Sequence, residues 1–276
     1  MARVLLMSDV HHCELVWYGV DTDTRMKRMV EALQAEYERE PYDGLFFLGD
    51  YSLDFWVCPP FGSVLNRGKS YTEKFMKEVY PLLPPCPKYM IPGNHEQYGQ
   101  ERWKALTGFD RRGTMAYRDA LFVLLDNFAA DLDPDFNSDG TYTPVDVAYI
   151  QEQMAAHPQA KHVFLCAHEF ITERESEDFK TLVREEERIM GLFAGHTHLS
   201  HVLSLGPEWG NKKLIRDGQF SYSHDIEHST WGWREIRFED DGTVTTAYQT
   251  PACDLLINGQ MVHHEAGRQD MWTWEA

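Results

Sequence analysis

Short apolar runs recur along this chain, and each is cut off by polar or glycine residues before it reaches the length of a helix. They are Arg3–Met7, Gly44–Leu48, Lys88–Ile91, Ala120–Leu125, His162–Cys166 and Ile189–Ala194. Runs of this length and setting read as strands buried on both faces. Between them lie stretches with helical spacing. Thr22–Glu40 repeats Met26, Met29, Val30, Leu33 and Tyr37, and Tyr71–Val79 carries Phe75, Met76 and Val79 on one stripe. Strands alternating with amphipathic helices predict an α/β fold. From about Lys213 the pattern changes to strands alone: Leu214–Ser221, Trp233–Phe238 and Thr243–Gln249, with Asp240-Asp241-Gly242 as a hairpin turn between the last two. No internal repeat, low-complexity tract or linker interrupts the 276 residues, so a single domain is expected.

The residues just beyond each run narrow the chemistry. Arg3–Met7 leads into Ser8-Asp9-Val10-His11, and Gly44–Leu48 into Gly49-Asp50. Lys88–Ile91 leads into Pro92-Gly93-Asn94-His95-Glu96, His162–Cys166 into Ala167-His168, and Ile189–Ala194 into Gly195-His196-Thr197-His198. Five strands thus deliver Asp, Asn or His at their C-terminal ends, the edge where α/β sheets bind ligands. Carboxylate, amide oxygen and imidazole without thiolate suit divalent Mn, Fe or Zn. In extended backbone, residues two apart point the same way, so Asp9 with His11 and His196 with His198 each offer two ligands to one cavity. The glycines before Asp50, Asn94 and His196 allow close backbone approach. Each piece alone has an ordinary explanation as a turn or a cap; five in this order do not.

Charge limits the partners. With 26 Lys and Arg against 44 Asp and Glu, the formal charge is −18. An acidic surface disfavours long nucleic acids and anionic membranes, although bound metal can reverse the field locally for a small phosphoester. The five cysteines are scattered and form no Cys-x-x-Cys pair, as expected of reduced thiols. No apolar run approaches the ~20 residues of a membrane span, and the first run ends before it makes a signal h-region. A cytoplasmic protein is expected.

The series Asp9-Val10-His11, Gly49-Asp50 with Asp54, Gly93-Asn94-His95-Glu96, His168 and Gly195-His196-Thr197-His198 resembles the calcineurin-like metallophosphoesterase superfamily, over residues 3 to about 200. The resemblance implies a four-layer α/β/β/α sandwich of two mixed β-sheets, the strand-rich stretch 213–262 completing the second sheet. It implies two divalent metal ions, with Asp9, His11 and His198 on one, Asn94, His168 and His196 on the other, and Asp50 bridging both. It further implies hydrolysis of a small phosphomonoester or phosphodiester by water activated between the metals, with His95 as a catalytic residue facing the substrate. Glu96 then either orients His95 or a ligand, or serves as an acid at a helix start. Asp54 is followed by Phe55-Trp56 where the Ser/Thr protein phosphatases of the superfamily continue Arg-Gly, which argues against a protein substrate. A non-catalytic scaffold retaining the fold is the alternative. Such a chain is expected to lose His95 or several ligands, and none is lost here.

Other segments admit two readings. Leu53–Tyr71, rich in aromatics, Pro and Gly, is an ordered surface loop or a wall of the pocket. Glu173–Arg188 reads as a solvated helix face. His12, His201, His224, His228, His263 and His264 read as surface residues that could also line the pocket. Asp135–Asp146 resembles a dockerin-type calcium loop, with oxygen donors at positions 1, 3, 5 and 9, Gly140 at 6 and Asp146 at 12. The same residues suit a helix start with Thr143 as N-cap and Pro144 behind it. Titration calorimetry with Ca²⁺ separates the two: a calcium loop gives binding heat and a thermal shift, a helix start gives neither.

Overall fold

The computed structural model describes residues 2–57, 62–65, 67–133, 139–226 and 229–275. In chain order the strands are β1 (Ala2–Met7), β2 (Gly44–Leu48), β3 (Lys88–Ile91), β4 (Gly113–Tyr117), β5 (Ala120–Leu124), β6 (His162–Ala167) and β7 (Ile189–Ala194). They continue as β8 (Ser200–Ser204), β9 (Lys213–Asp217), β10 (Trp233–Phe238), β11 (Val244–Thr250), β12 (Cys253–Ile257), β13 (Gln260–His264) and β14 (Gly267–Trp274). The α-helices are α1 (Thr22–Arg39), α2 (Tyr71–Lys74), α3 (Gln100–Thr107), α4 (Val147–Ala156) and α5 (Glu177–Glu185).

Side chains two apart on a strand share a face, and three apolar clusters result from that period. Val4, Leu6, Phe46 and Leu48 on β1 and β2 meet Phe122, Phe164 and Phe193 of β5, β6 and β7 in a central core. Their neighbours Leu5, Met7, Leu45 and Phe47 pack instead on Met26, Met29 and Leu33 of α1. On the far side, Val163, Leu165 and Leu192 pack on Ile150 and Met154 of α4 and on Phe179 and Val183 of α5. Two sheets back to back with helices outside form an α/β/β/α sandwich, as expected.

The first sheet runs β14-β11-β10-β1-β2-β3 and the second β4-β5-β6-β7-β9-β8. β1, β2 and β3 are parallel, as are β5, β6, β7 and β9, so both sheets are mixed. The stretch 213–262 does not complete the second sheet as a unit. Only β9 joins it; β10 and β11 extend the first sheet beside β1, and β12 with β13 forms a separate hairpin. The reason is packing: Ile215 and Ile236 both reach the central core, but from opposite sides of it. The turn at Asp240–Gly242 closes as predicted, with the Glu239 N–H donating to the Thr243 carbonyl at 2.9 Å. The strand expected to continue to Ser221 stops at Asp217, because the Phe220 N–H turns away to the Asp9 carbonyl at 3.1 Å. The Tyr71–Val79 helix is α-helical only to Lys74 and continues as a π-helical turn over Phe75–Val79.

Phe164 is fully buried between the sheets, 5.3 Å from the Phe122 ring centroid and 5.5 Å from that of Trp274. Phe164→Ala is expected to cost about 3–5 kcal/mol of stability, read from the denaturant midpoint. Met261→Ala, at an exposed side chain, should stay within about 0.5 kcal/mol. Equal effects of the two would contradict the layered core.

Candidate metal centre

The C-terminal ends of β1, β2, β3, β6 and β7 come to one edge of the sandwich, and the backbone there is under constraint. Asp9, His11, Asp50, His196 and His198 all adopt positive φ, between 46° and 66°. Such a backbone costs of order 1–3 kcal/mol for each residue with a side chain, so it persists only where the surroundings enforce it. Here hydrogen bonds between loops enforce it. The Asp9 N–H donates to the Gly49 carbonyl (3.1 Å) and the His11 N–H to the Asp50 carbonyl (2.9 Å). From α1 the buried Arg25 guanidinium donates to the carbonyls of His11 (2.8 Å), Phe220 (2.8 Å) and Val10. Two glycines let the loops touch: a Cβ on Gly93 would lie 2.1 Å from Asp50 Oδ1, and one on Gly195 would lie 2.2 Å from Ser8 Oγ. Sequence spacing anticipated both approaches. Nothing in it singled out Arg25, whose place on a helical stripe looks like any other.

Each carboxylate has one oxygen held and one presented. Asp9 Oδ2 accepts from the His196 N–H (2.8 Å) and the Ser8 hydroxyl, which leaves Oδ1 without a hydrogen-bond partner, 3.2 Å from His198 Nε2 and 3.8 Å from His11 Nε2. Asp50 Oδ1 accepts from the His95 N–H at 3.0 Å, while Oδ2 lies 3.4 Å from His11 Nε2, 3.2 Å from His168 Nε2 and 3.8 Å from His95 Nε2. The imidazoles are oriented from behind. His168 Nδ1 donates to the Leu48 carbonyl and His198 Nδ1 to the Tyr222 carbonyl, both at 2.7 Å, which turns each Nε2 into the cluster. Backbone acceptors of this kind set the tautomer of metal-binding histidines. His168 Nε2 stands 2.8 Å from Asn94 Oδ1 and 3.3 Å from His196 Nδ1, and His196 Nδ1 is 3.0 Å from the same amide oxygen.

All seven residues expected as ligands are therefore brought together, with His95 beside them. Within 4.8 Å of one another lie ligand atoms of three groups: Asp9, His11 and His198; Asp50, His168 and His196; and His11, Asp50 and His95. The donor set fits divalent metal. Asn94 Oδ1, Asp50 Oδ2, His168 Nε2 and His196 Nδ1 converge in a buried space, and one shared proton cannot satisfy four electron-rich atoms as a cation can. The same demand for positive charge shifts the acid–base balance of the cluster. Burial acts against protonated His168, yet the Asp50 charge and hydrogen bond, joined by Asp9 and the Leu48 carbonyl, together outweigh it and push the imidazole up to about 10. Asp50 is held well below the usual carboxylate range: burial opposes this, and His168 and His95 override it. Asp9 falls to about 2 in the same way, burial being outweighed by His198 and His168 together. Burial takes His11 down to about 4, leaving it neutral and able to ligate.

Several residues have duties that sequence alone did not separate. Glu96 neither caps a helix, since α3 begins at Gln100 behind Gly99, nor reaches His95. It accepts from the N–H groups of Asp50 (2.9 Å), Gly93 (2.9 Å) and Ser52 (2.7 Å), and from the Ser52 hydroxyl (3.1 Å), which ties the β2 and β3 loops together. Burial, then the Asp50 charge, pushes its carboxyl up to about 8 against those donors. Asp54 lies outside the cluster and accepts from the N–H groups of Tyr71 (2.6 Å) and Thr72 (3.0 Å) and from the Tyr98 hydroxyl (2.6 Å). Asp217, which sequence did not mark, holds Oδ1 2.7 Å from Ser8 Oγ behind Asp9; burial, then Asp9, raises it to about 7.

The remaining segments divide. His12 is buried, not surface, with Nδ1 donating to the Tyr71 carbonyl at 3.2 Å. His224 lines the cleft, His263 is exposed, His201 and His264 are half-buried, and His228 lies outside the described residues. Of the aromatic insert, Phe55 and Leu65 line a separate hollow beside Tyr98, and residues 58–61 lie outside the described residues. The first part of the calcium-like stretch, residues 135–138, also lies outside them. Its last residue, Asp146, is the N-cap of α4, accepting from the Tyr149 N–H at 3.1 Å and pairing with Arg112 at 2.7 Å. The helix thus starts three residues later than a Thr143 cap would place it. No helix among the described residues is long and apolar enough to cross a membrane.

Glu96→Gln keeps the shape but offers an amide NH₂ where two N–H donors point. It should cost about 1–3 kcal/mol in the denaturant midpoint and weaken metal binding about 10–100-fold by calorimetry. Unchanged metal affinity would show that the Asp50 loop does not need this tie.

Comparison with known proteins adds to the geometry. A search among curated protein sequences found no match. In three dimensions the chain is similar to the purple acid phosphatase PPD1 of yellow lupin (Lupinus luteus) seeds, with a TM-score of 0.60 and 13% identity, covering 99% of this chain and 53% of that one. The chain therefore spans about half the length of the plant phosphatase, and the likeness is one of fold. GAP50 of Plasmodium (TM-score 0.49, 12% identity, 97% and 89% covered) and Vps29 of Entamoeba histolytica (0.42, 12%, 97% and 99%) are more distant. The family model for calcineurin-like phosphoesterases matches residues 2–200, the span that carries β1 through β7 and every residue of the cluster. This chain belongs to the calcineurin-like phosphoesterase family.

Proposed function

We propose that the chain is a metal-dependent hydrolase of small phosphoesters. The observation that carries this is the complete ring of donors around Asp50 together with His95, which faces the same cleft without being needed to fill a ligand position. In this proposal Asp9, His11 and His198 hold one divalent ion, Asn94, His168 and His196 hold a second, and Asp50 is shared. Two such ions supply positive charge for the phosphoryl oxygens and make water acidic enough to attack near neutral pH.

The chain's own residues do the rest. Arg25 and Glu96 keep the ligand loops in their left-handed turns, and the carbonyls of Leu48 and Tyr222 keep two imidazole nitrogens turned inward. His95 is 9% exposed, its Nδ1 has no hydrogen-bond partner among the described residues, and its ring lines a cleft of about 470 Å³. From there it hydrogen-bonds a phosphoryl oxygen or gives its proton to the leaving oxygen, a role worth about 10²–10⁴ in rate. A cleft of this size suits a small ester. The charge of −18 disfavours a long nucleic acid.

The test is hydrolysis of phosphate mono- and diesters by protein loaded with Mn²⁺, Fe²⁺ or Zn²⁺. Asp50→Asn and His196→Ala should lose metal and turnover while keeping the folded circular dichroism spectrum. His95→Ala should keep its metal content and slow by about 10²–10⁴. A wild-type rate in His95→Ala would remove that residue from the chemistry. Metal content well below one ion per chain, with no hydrolysis of any ester, would favour a non-catalytic role.

A further inference from the structure

Arg174 lines the same cleft, and the hydrolytic proposal makes no use of it. It lies on a turn between β6 and α5, where its N–H donates to the Ile171 carbonyl at 2.8 Å. The helix expected over Glu173–Arg188 begins only after the Ser176 cap, so Arg174 stands on a turn at the rim of the cleft, exposed to solvent and lining the opening. The turn is anchored at the next residue. Buried Glu175 accepts from the Val145 N–H (3.1 Å) and from the Tyr142 hydroxyl. Other arginines of the second half of the sandwich are taken up by carboxylates: Arg112 by Asp146, Arg184 by Glu185, Arg216 by Glu169. The Arg174 guanidinium has no ion pair, side-chain hydrogen bond or ring contact among the described residues. Asp139 lines the same cleft, yet among the described residues no carboxylate pairs with Arg174, and an arginine so placed at a cleft rim is positioned for an anion that arrives from outside.

What stands between it and the donors decides which anion. Phe128 packs on His168 (centroids 5.7 Å apart) and His196 (6.2 Å), and Tyr142 packs on Phe128 (5.8 Å). The Tyr142 hydroxyl in turn accepts from the Ile171 N–H at 3.1 Å. Two ring layers therefore stand between the donor cluster and the turn that carries Arg174. A phosphoryl group seated on the donors leaves the guanidinium to the part of the substrate that extends outward. Resting on the proposed function, the geometry points to a second oxyanion on the leaving-group side, bound by Arg174, so that esters of anionic alcohols are selected over esters of neutral ones.

The experiment compares propyl phosphate with propane-1,3-diol bisphosphate and 3-(phosphonooxy)propanoate on the Mn²⁺-loaded protein. Wild type should prefer the two dianchored esters, and the larger of the two preferences distinguishes phosphate from carboxylate. Arg174→Ala should lower the ratio of kcat/KM, dianchored over propyl phosphate, by about 10–100-fold, mostly through KM, with partial rescue in Arg174→Lys. An unchanged ratio would overturn the assignment. Calorimetric binding of propane-1,3-diyl bisphosphonate against propylphosphonate reads the same contact without turnover. If no ester is hydrolysed but Arg174→Ala selectively weakens the bisphosphonate, the hydrolytic proposal fails and the anion site stands. If neither binding nor turnover distinguishes the variants, Arg174 selects nothing.

Discussion

The cluster exists because five residues with side chains are held in left-handed backbone, and the rest of the site depends on what holds them. At Asp9, His11, Asp50, His196 and His198 a positive φ turns the side chain inward at the point where each strand ends. Left alone, those turns would relax and the electron-rich atoms would separate. They do not, because a guanidinium and a carboxyl group work from behind: Arg25 gathers the Val10 and His11 carbonyls of the β1 loop with that of Phe220, and Glu96 gathers the N–H groups of the β2 and β3 loops. One is a donor of several bonds and the other an acceptor of several, so between them both polarities of loop backbone are satisfied in the buried zone.

The two-sheet architecture makes such bracing practicable. Parallel strands point their C-terminal ends the same way, and stacking two mixed sheets brings β1, β2 and β3 against β6 and β7 at one edge. The central core of Phe46, Phe122, Phe164 and Phe193 sets the distance between the sheets. Ligands from the first sheet, such as Asp50, can thereby meet ligands from the second, such as His168, at 3.2 Å. A loop-built site of the same residues would lack this rigid spacing.

Charge is distributed with the same economy. Most cations of this acidic chain are bound in pairs at the surface, where they add little to stability. The buried ones act on structure, as Arg25 does at the β1 loop and Arg216 does beside Glu169 at 2.7 Å. Asp9 and Asp50 are the acids that matter at the site, and their pull raises His168 and His198 toward the charged form. The overall charge of −18 therefore says little about the cleft itself.

Period and spacing determined much in advance. The apolar runs are strands because their length and bounds allow nothing else, and the Asp, Asn and His residues just beyond them are at the ends of those strands. Gly93 and Gly195 are needed for close approach, as their places before Asn94 and His196 suggested. Out of reach were contacts between residues far apart in the chain. The division of β9, β10 and β11 between two sheets depends on which side of a shared core each strand reaches. The end of β9 is set by Phe220 bonding to Asp9. Glu96, His12 and Asp146 each carry a chemistry that sequence reveals and a partner that it does not. Arg174 reads as one charge in a mixed helical stretch, and only the turn after β6 places it in the cleft. Local sequence decides which atoms are offered at a strand end, because strand and turn propensities act over a few residues. Tertiary packing decides which of those atoms meet, because that depends on how two sheets stack.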